Sequence, residues 1–390
     1  MTGETAAATP ASSAAHAAIV VFGAAGLVGQ QICRALAAAN VAFEIAGRTE
    51  PALVEVARTL PVAHIHVADT RELSTLTRAF AGARVVINAA GPLRESAQRV
   101  LEAALTAGAH YVDVGSEQAV LRELHERHES TARRSGLVAV PGCGVDCALG
   151  DLAAAWAAER LCGVDDPGPA LRAQPGHRLA ADQPVDEVAV SYVFDDLALS
   201  AGSQRALFGG VGGNHVVWRR DRWEPARAVE RRRVIAGDTL GGEREAIGYA
   251  GGDPITIPRH IASNFVSSYV STTRSAAATT AMRWLARAMP LIPRATSELL
   301  APYASPDADY ARTKFAVIAS VRRGGTTADV TVRGNNLYRT TGAIAAWIAS
   351  QLASRSVGPI GMCAPAELFR PAPALSQLAV VAQLTIQPPA

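Results

Sequence analysis

The chain has 390 residues, a net charge of +2, 49% hydrophobic and 18% charged residues. That much apolar side chain supplies cores for about two domains, excludes wholesale disorder and leaves no basic excess of the kind that nucleic acid requires. The five cysteines, Cys33, Cys143, Cys147, Cys162 and Cys363, are odd in number and include no Cys-x-x-Cys, so they point to neither a disulfide framework nor a zinc site and fit a reducing cytoplasm.

Residues 1–16 are small and polar, without a charged n-region or a long apolar stretch, and read as a disordered tail rather than a signal peptide. No apolar run approaches the length of a membrane span, so a cytoplasmic protein is expected. From residue 18 the pattern becomes regular. A β-branched run at 18–22 stops at Gly23, Gly26 and Gly29 follow, and 27–38 has the Ala- and Leu-rich character of a helix. Strand, glycine turn and helix in this order form a dinucleotide-binding fingerprint. Gly23 lets the chain turn off the strand, Gly26 lets the backbone approach a pyrophosphate, and Gly29 lets helix and strand pack closely. Free N–H groups at the helix start then face the phosphates. Gly23, Ala25, Gly26, Leu27, Val28 and Gly29 are therefore the expected phosphate loop.

Strand-like runs recur at 41–46, 64–67, 85–89, 110–114 and 137–140, with helical stretches between them that are clearest at 96–107 and 119–135. This alternation predicts an α/β fold, a Rossmann-type doubly wound parallel sheet over 17–163, with a further helix from 151 to 163. Residues 165–184 are rich in Pro and Gly and read as a linker. Runs at 187–194, 215–218, 264–272, 315–321 and 329–333, the last two joined by a hairpin turn at 322–326, predict a second α+β domain over 164–335 with a mainly antiparallel sheet. A helix is predicted over 275–288, ended by Pro290. In a C-terminal segment, 336–390, the spacing of Ile344, Trp347, Ile348 and Leu352 predicts a helix over 338–353, and 378–386 reads as a last strand. Both are expected to return to the first domain.

The second strand ends at Ala46-Gly47-Arg48-Thr49. In a site for NAD an acid there would bind the ribose 2′-hydroxyl. Arg48, beside Thr49, instead offers charge and planar donors suited to a 2′-phosphate, which predicts NADP(H). Asp69, after the third strand, either meets the adenine or caps a helix over 71–80. Asn88, Ala89 and Gly91 end the fourth strand with the small residues that close passage past a ribose or nicotinamide needs, although a plain Gly-Pro turn explains them too. Beyond the strand ends, where substrate must lie, the acids are Glu117 and Asp146. Both are candidate catalytic proton donors. Glu117 otherwise complements the start of the next helix, and Asp146 otherwise serves as an N-cap.

The glycine loop, Ala46-Gly47-Arg48, Asn88-Ala-Ala-Gly-Pro92, Tyr111-Val-Asp-Val-Gly-Ser-Glu117 and Gly142-Cys-Gly-Val-Asp146 together resemble the saccharopine dehydrogenase-like oxidoreductases. That broad family includes saccharopine reductases and the trans-acting enoyl reductases of lipid and polyketide pathways. The resemblance covers 19–152 well and 338–353 loosely. The family usually carries a proline shortly after the Asp146 position, and Cys147-Ala-Leu-Gly-Asp151 lacks it, so the loop and the substrate can differ here. The resemblance implies NADPH and reduction of a C=N or C=C bond in a small-molecule or carrier-tethered substrate. It does not fix which.

Other constellations carry less. Tyr310 and Lys314 have the Tyr-x-x-x-Lys spacing of short-chain dehydrogenases but precede a strand, late in the chain, and read as chance. They define one alternative, an atypical extended short-chain dehydrogenase. A non-catalytic NADP-sensing regulatory protein is another. Cys143 and Cys147 read as small buried residues in a tight turn, and His125 and His128 as part of a solvated helix face. The arginine-rich stretch 219–233 reads as a charged hairpin edge, or else as a dock for an acidic carrier domain or a coenzyme A phosphate. No metal ligand set is spaced for binding, and a homodimer through the second domain is left open.

Overall fold

The structure is a computed structural model and describes residues 18–389 apart from 175, 177, 196, 201–214, 227–229, 273–308 and 356–357. The predicted tail and the predicted helix over 275–288 lie outside the described residues. Short β-branched runs form the first sheet: β1 (Ile19–Phe22), β2 (Phe43–Gly47), β3 (Ile65–Val67), β4 (Val85–Asn88), β5 (His110–Asp113) and β6 (Val138–Val140). They pair in parallel in the order β6-β5-β4-β1-β2-β3. Helices α1 (Leu27–Ala38), α2 (Glu50–Thr59), α3 (Leu73–Ala79), α4 (Leu93–Thr106) and α5 (Gln118–Arg134) connect them. Both faces are covered, so β1, β4 and β6 are apolar nearly throughout rather than alternating, while β2 buries Glu44 against His66 of β3 at 2.6 Å. Ile19 and Val21 enter one core while Val20 and Phe22 enter the other.

Helix α6 (Ala148–Cys162) carries the chain across to the second sheet and packs on it. Its alanines are buried nearly all round, as expected of a helix with apolar residues on every side. The second sheet contains β7 (Glu187–Asp195), β8 (Val216–Arg219), β9 (Arg222–Pro225), β10 (Arg231–Ile235), β11 (Glu243–Gly248), β12 (Phe265–Ser271), β13 (Lys314–Arg323) and β14 (Thr326–Asn335), with α7 (Asp253–His260) between β11 and β12. Gly324-Gly325 closes the predicted hairpin, pairing Arg323 with Thr326. The β7–β12 pair is parallel and the other described pairs are antiparallel.

The C-terminal segment supplies α8 (Leu337–Ser354), β15 (Gly361–Met362), α9 (Pro365–Leu368), α10 (Pro371–Ala382) and β16 (Thr385–Gln387). Helix α8 lies against the first domain: it packs across α1, where a Cβ on Gly342 would stand 2.6 Å from Gln31 Cβ. The expected last strand over 378–386 is corrected. Leu375, Leu378 and Ala382 line the buried face of α10, and Gln383, at φ 56, ends that helix and redirects the chain. A short apolar run suits either state, and packing decides it. The strand that remains, β16, pairs with β14 of the second sheet rather than returning to the first. The first sheet instead gains β15, parallel to β6.

Candidate functional site

Strand β1 lies between β2 and β4, so the crossovers reverse direction there and a crevice opens at the carboxyl ends of the strands. Gly23 adopts φ +81, and a Cβ on it would lie 2.6 Å from Ala90 N, because the loops after β1 and β4 touch. A Cβ on Gly29 would lie 2.8 Å from Ala24 Cα. The fold itself therefore requires glycine at both positions. Gly26 differs. It is exposed at the N-cap position of α1, and a Cβ there would meet only Gly23 O, at 3.2 Å. No side chain caps α1 and no acid occupies its first turn, so its leading N–H groups remain available to an anion. Ala25, Leu27 and Val28 complete the half-exposed rim.

Arg48 and Thr49 are exposed just past β2. Asp69 receives the Arg71 guanidinium on both carboxylate oxygens at 2.7–3.2 Å and the Arg71 N–H at 2.9 Å. These bonds, with the nearby charge of Arg48, hold the Asp69 carboxyl down at about 2. The capping alternative for Asp69 is corrected, because α3 starts at Leu73 with Glu72 at the N-cap position.

Asn88 is also corrected, for its side chain is buried and turned inward. Its Nδ2 donates to Tyr111 Oη at 3.2 Å and Ser96 Oγ at 3.4 Å, and its Oδ1 accepts from Ala90 N at 3.1 Å. It shapes the loop of Ala89 and Gly91 from behind. Tyr111 Oη donates to Asp113 at 2.9 Å, and Asp113 Oδ1 accepts from Gly115 N at 3.0 Å and Gly142 N at 2.9 Å. Burial lifts Asp113 to about 6. This network ties together the loops after β4, β5 and β6. Sequence reading missed Asp113 as a site residue; the available signal was a lone acid closing the strand-like run His110-Tyr-Val.

The loops carrying the two candidate acids meet where Ser116 Oγ donates to Asp146 Oδ2 at 2.5 Å. Burial pushes the half-buried Asp146 carboxyl above the usual carboxylate range. The capping alternative fails for Asp146, since α6 begins at Ala148 with Cys147 at the N-cap position and no side-chain cap. Glu117 occupies the N-cap position of α5 without capping it and faces Arg94 at 3.6 Å. Next to it, Gln118 stitches the second sheet to this rim: Nε2 donates to Val216 O at 2.8 Å and Gly251 O at 3.0 Å, and Oε1 accepts from Val216 N at 2.7 Å.

The remaining constellations separate. Cys143 and Cys147 are buried, and burial pushes both thiols well above their ordinary value, which leaves no thiolate nucleophile. His125 and His128 are corrected: they share the inward face of α5 with Leu121 and Leu124, and burial drives His125 down to about 3. Tyr310 stacks edge-on against Tyr338 at 5.1 Å while Lys314 opens β13, so no common helix face joins them. Among the described residues, Arg219, Arg220 and Arg222 lie on the β8–β9 hairpin and Arg231, Arg232 and Arg233 on the edge strand β10, with Arg222, Arg231 and Arg232 paired to acids at 2.6–2.9 Å. Among the described residues there is no metal-binding cluster, and no helix is long and apolar enough to cross a membrane.

A parallel sheet with a glycine turn at its reversal point, continued into a mixed sheet, defines a dinucleotide-binding protein of two-sheet type. Residues 19–140 match the saccharopine dehydrogenase NADP binding domain. A lipid droplet localized protein of Caenorhabditis elegans is 32% identical over 146 residues, covering 34% of either chain. A Mycobacterium tuberculosis protein named as a trans-acting enoyl reductase is 32% identical over 143 residues, covering 34% of this chain and 33% of that one. The chain thus spans about a third of the length of the curated relatives it matches. Saccharopine dehydrogenase (L-Glu forming) from Saccharomyces cerevisiae shares the fold over 95% of this chain and 99% of its own, with a TM-score of 0.63 at 14% identity.

Proposed function

We propose that the protein is an NADPH-dependent reductase acting on a C=N or C=C bond of a small or carrier-bound substrate. Gly26 carries this reading: it is exposed at an uncapped helix start, whose leading N–H groups a phosphate would accept from. The match of 19–140 to an NADP binding domain supports the choice of nucleotide, and the name of the mycobacterial relative supports a carrier-bound enoyl substrate.

Gly23, Ala25, Gly26, Leu27, Val28 and Gly29 would hold the pyrophosphate, Arg48 and Thr49 the 2′-phosphate, and Asp69 the adenine end. Ala89 and Gly91 would border the ribose, with Asn88 fixing their backbone. NADPH, when bound, supplies the hydride. Asp146 then holds the proton that reduction requires, because its raised carboxyl keeps a proton more readily than a solvated one. Ser116 orients it, and Glu117 stays paired with Arg94.

The test follows NADPH oxidation with a panel of enoyl thioesters and cyclic imines. Asp146→Asn should keep melting temperature and NADPH affinity while slowing single-turnover oxidation about a hundredfold. Undiminished turnover removes Asp146 as donor. NADPH binding with no turnover of any panel member contradicts the reductase reading.

A further inference from the structure

Arg48 has charged neighbours at its corner of the crevice. Strands β2 and β3 run in parallel with Gly47 opposite Val67, and Ala68 N donates to Gly47 O at 2.9 Å. The two segments therefore leave the sheet side by side, and Arg48-Thr49 emerges next to Asp69-Thr70-Arg71. One acid and two arginines share the place where a 2′-phosphate would lie.

The acid is engaged by one arginine and not by the other. Asp69 accepts from Arg71 Nε on both oxygens, at 3.2 and 3.1 Å, from Arg71 Nη2 at 2.7 Å, and from the Arg71 backbone N–H at 2.9 Å. The turn that carries the pair is itself fixed. Asp69 N donates to Thr75 Oγ1 at 3.0 Å, and Glu72 N donates to Asp69 O at 3.0 Å. Arg48 acts on the Asp69 carboxylate through its charge, and more weakly than Arg71 does. Glu72 bears on Arg71 in the same way, behind the bonds from Asp69. A guanidinium that meets a carboxylate with several donors holds it more strongly than a distant charge does.

This division matters to a ligand. The Arg71 bonds keep Asp69 ionised at neutral pH, so its negative charge is always present. A phosphate monoester brings nearly two further negative charges. Beside a bare carboxylate such a group is repelled, and Arg48 is drawn to the acid instead of the ligand. Beside a carboxylate matched by its own arginine, the repulsion is cancelled and Arg48 keeps its charge for the phosphate. A ribose 2′-hydroxyl is uncharged and does not sense the difference.

We propose that Arg71 is a specificity-determining residue for NADP(H): by pairing with Asp69 it cancels the negative charge beside the 2′-phosphate site and leaves Arg48 to the ligand. This rests on the reading of the crevice as an NADPH site. The probes are adenosine 2′,5′-bisphosphate and 5′-AMP, which differ by the 2′-phosphate alone. Both are titrated calorimetrically against the full chain, and melting temperature is measured on the same preparations. Wild type should prefer the bisphosphate. Arg71→Gln should weaken the bisphosphate by about fivefold at about 20 mM salt, leave 5′-AMP and melting temperature nearly unchanged, and lose most of this effect at about 0.5 M salt. Adding Asp69→Asn, which removes the charge and keeps an oxygen to accept from the residue 71 N–H, should return the bisphosphate to within about twofold of wild type. Unchanged bisphosphate affinity in Arg71→Gln, equal loss of both probes, or a loss that Asp69→Asn does not rescue overturns the proposal. A wild-type preference for the bisphosphate without dependence on Arg71 overturns it alone, whereas wild type without that preference overturns the NADP reading with it.

Discussion

Gly23, Gly26 and Gly29 are identical letters in three different surroundings. The first and third are packed against backbone, so any side chain must displace the loop itself. The second is exposed, and a Cβ there would meet Gly23 O alone, at 3.2 Å. Gly26→Val should therefore fold with a native circular dichroism spectrum and fail to bind NADPH, because the added branches occupy the place of the pyrophosphate. A Gly26→Val protein that binds NADPH normally removes this loop as the site. The glycine spacing and Arg48 were legible in the sequence because both are local. The inward turn of Asn88 was not, since a residue at a strand end can face loop or core, and its partners Tyr111 and Ser96 come from a neighbouring strand and helix.

Among the elements, α7 and β12 hold a buried acid whose titration should be visible in stability. Burial lifts Asp253 from 3.8 to about 7, against the opposing hydrogen bonds from Ser268 and Tyr192. The folded pKa lies above the unfolded one, so the folded chain keeps a proton that the unfolded chain releases. Stability from this group is full below the unfolded pKa and is lost as pH rises from about 4 to about 7. Asp253→Asn retains an acceptor for either hydroxyl and cannot ionise. Urea denaturation at about pH 5 and about pH 8 should show a smaller loss of stability in the variant, by on the order of 1–4 kcal/mol. An identical loss in both proteins means that Asp253 is ionised throughout. Charge pattern misled the reading of α5 for a physical reason. Its many charged residues occupy the outer face, and His125 and His128 fall on the inner one at the spacing of Leu121 and Leu124.

At the scale of the molecule, the alternation of strand and helix made the first sheet legible, and the hairpin over 322–326 announced the second. Strands of two or three residues, such as β15 and β16, carry no periodicity, so their delivery to two different sheets depends on packing alone. The junction at Gln118 was equally hidden, because its three partners belong to residues 216 and 251. Gln118→Ala should cost about 1–3 kcal/mol in thermal or urea unfolding through the carbonyls and N–H left buried. NADPH affinity should stay near wild type, since Gln118 lies outside the phosphate loop; joint loss of stability and NADPH affinity would make the sheet junction part of the nucleotide site. The central claim, an NADP-specific crevice, is tested most directly by fluorescence titration of NADPH and NADH against wild type and Arg48→Ala. Wild type should prefer NADPH, and Arg48→Ala should lose about tenfold or more in NADPH affinity, equivalent to roughly 1.5–3 kcal/mol for a charge-assisted contact, with NADH nearly unchanged. Equal affinity of wild type for the two nucleotides, or equal loss of both in the variant, contradicts the account.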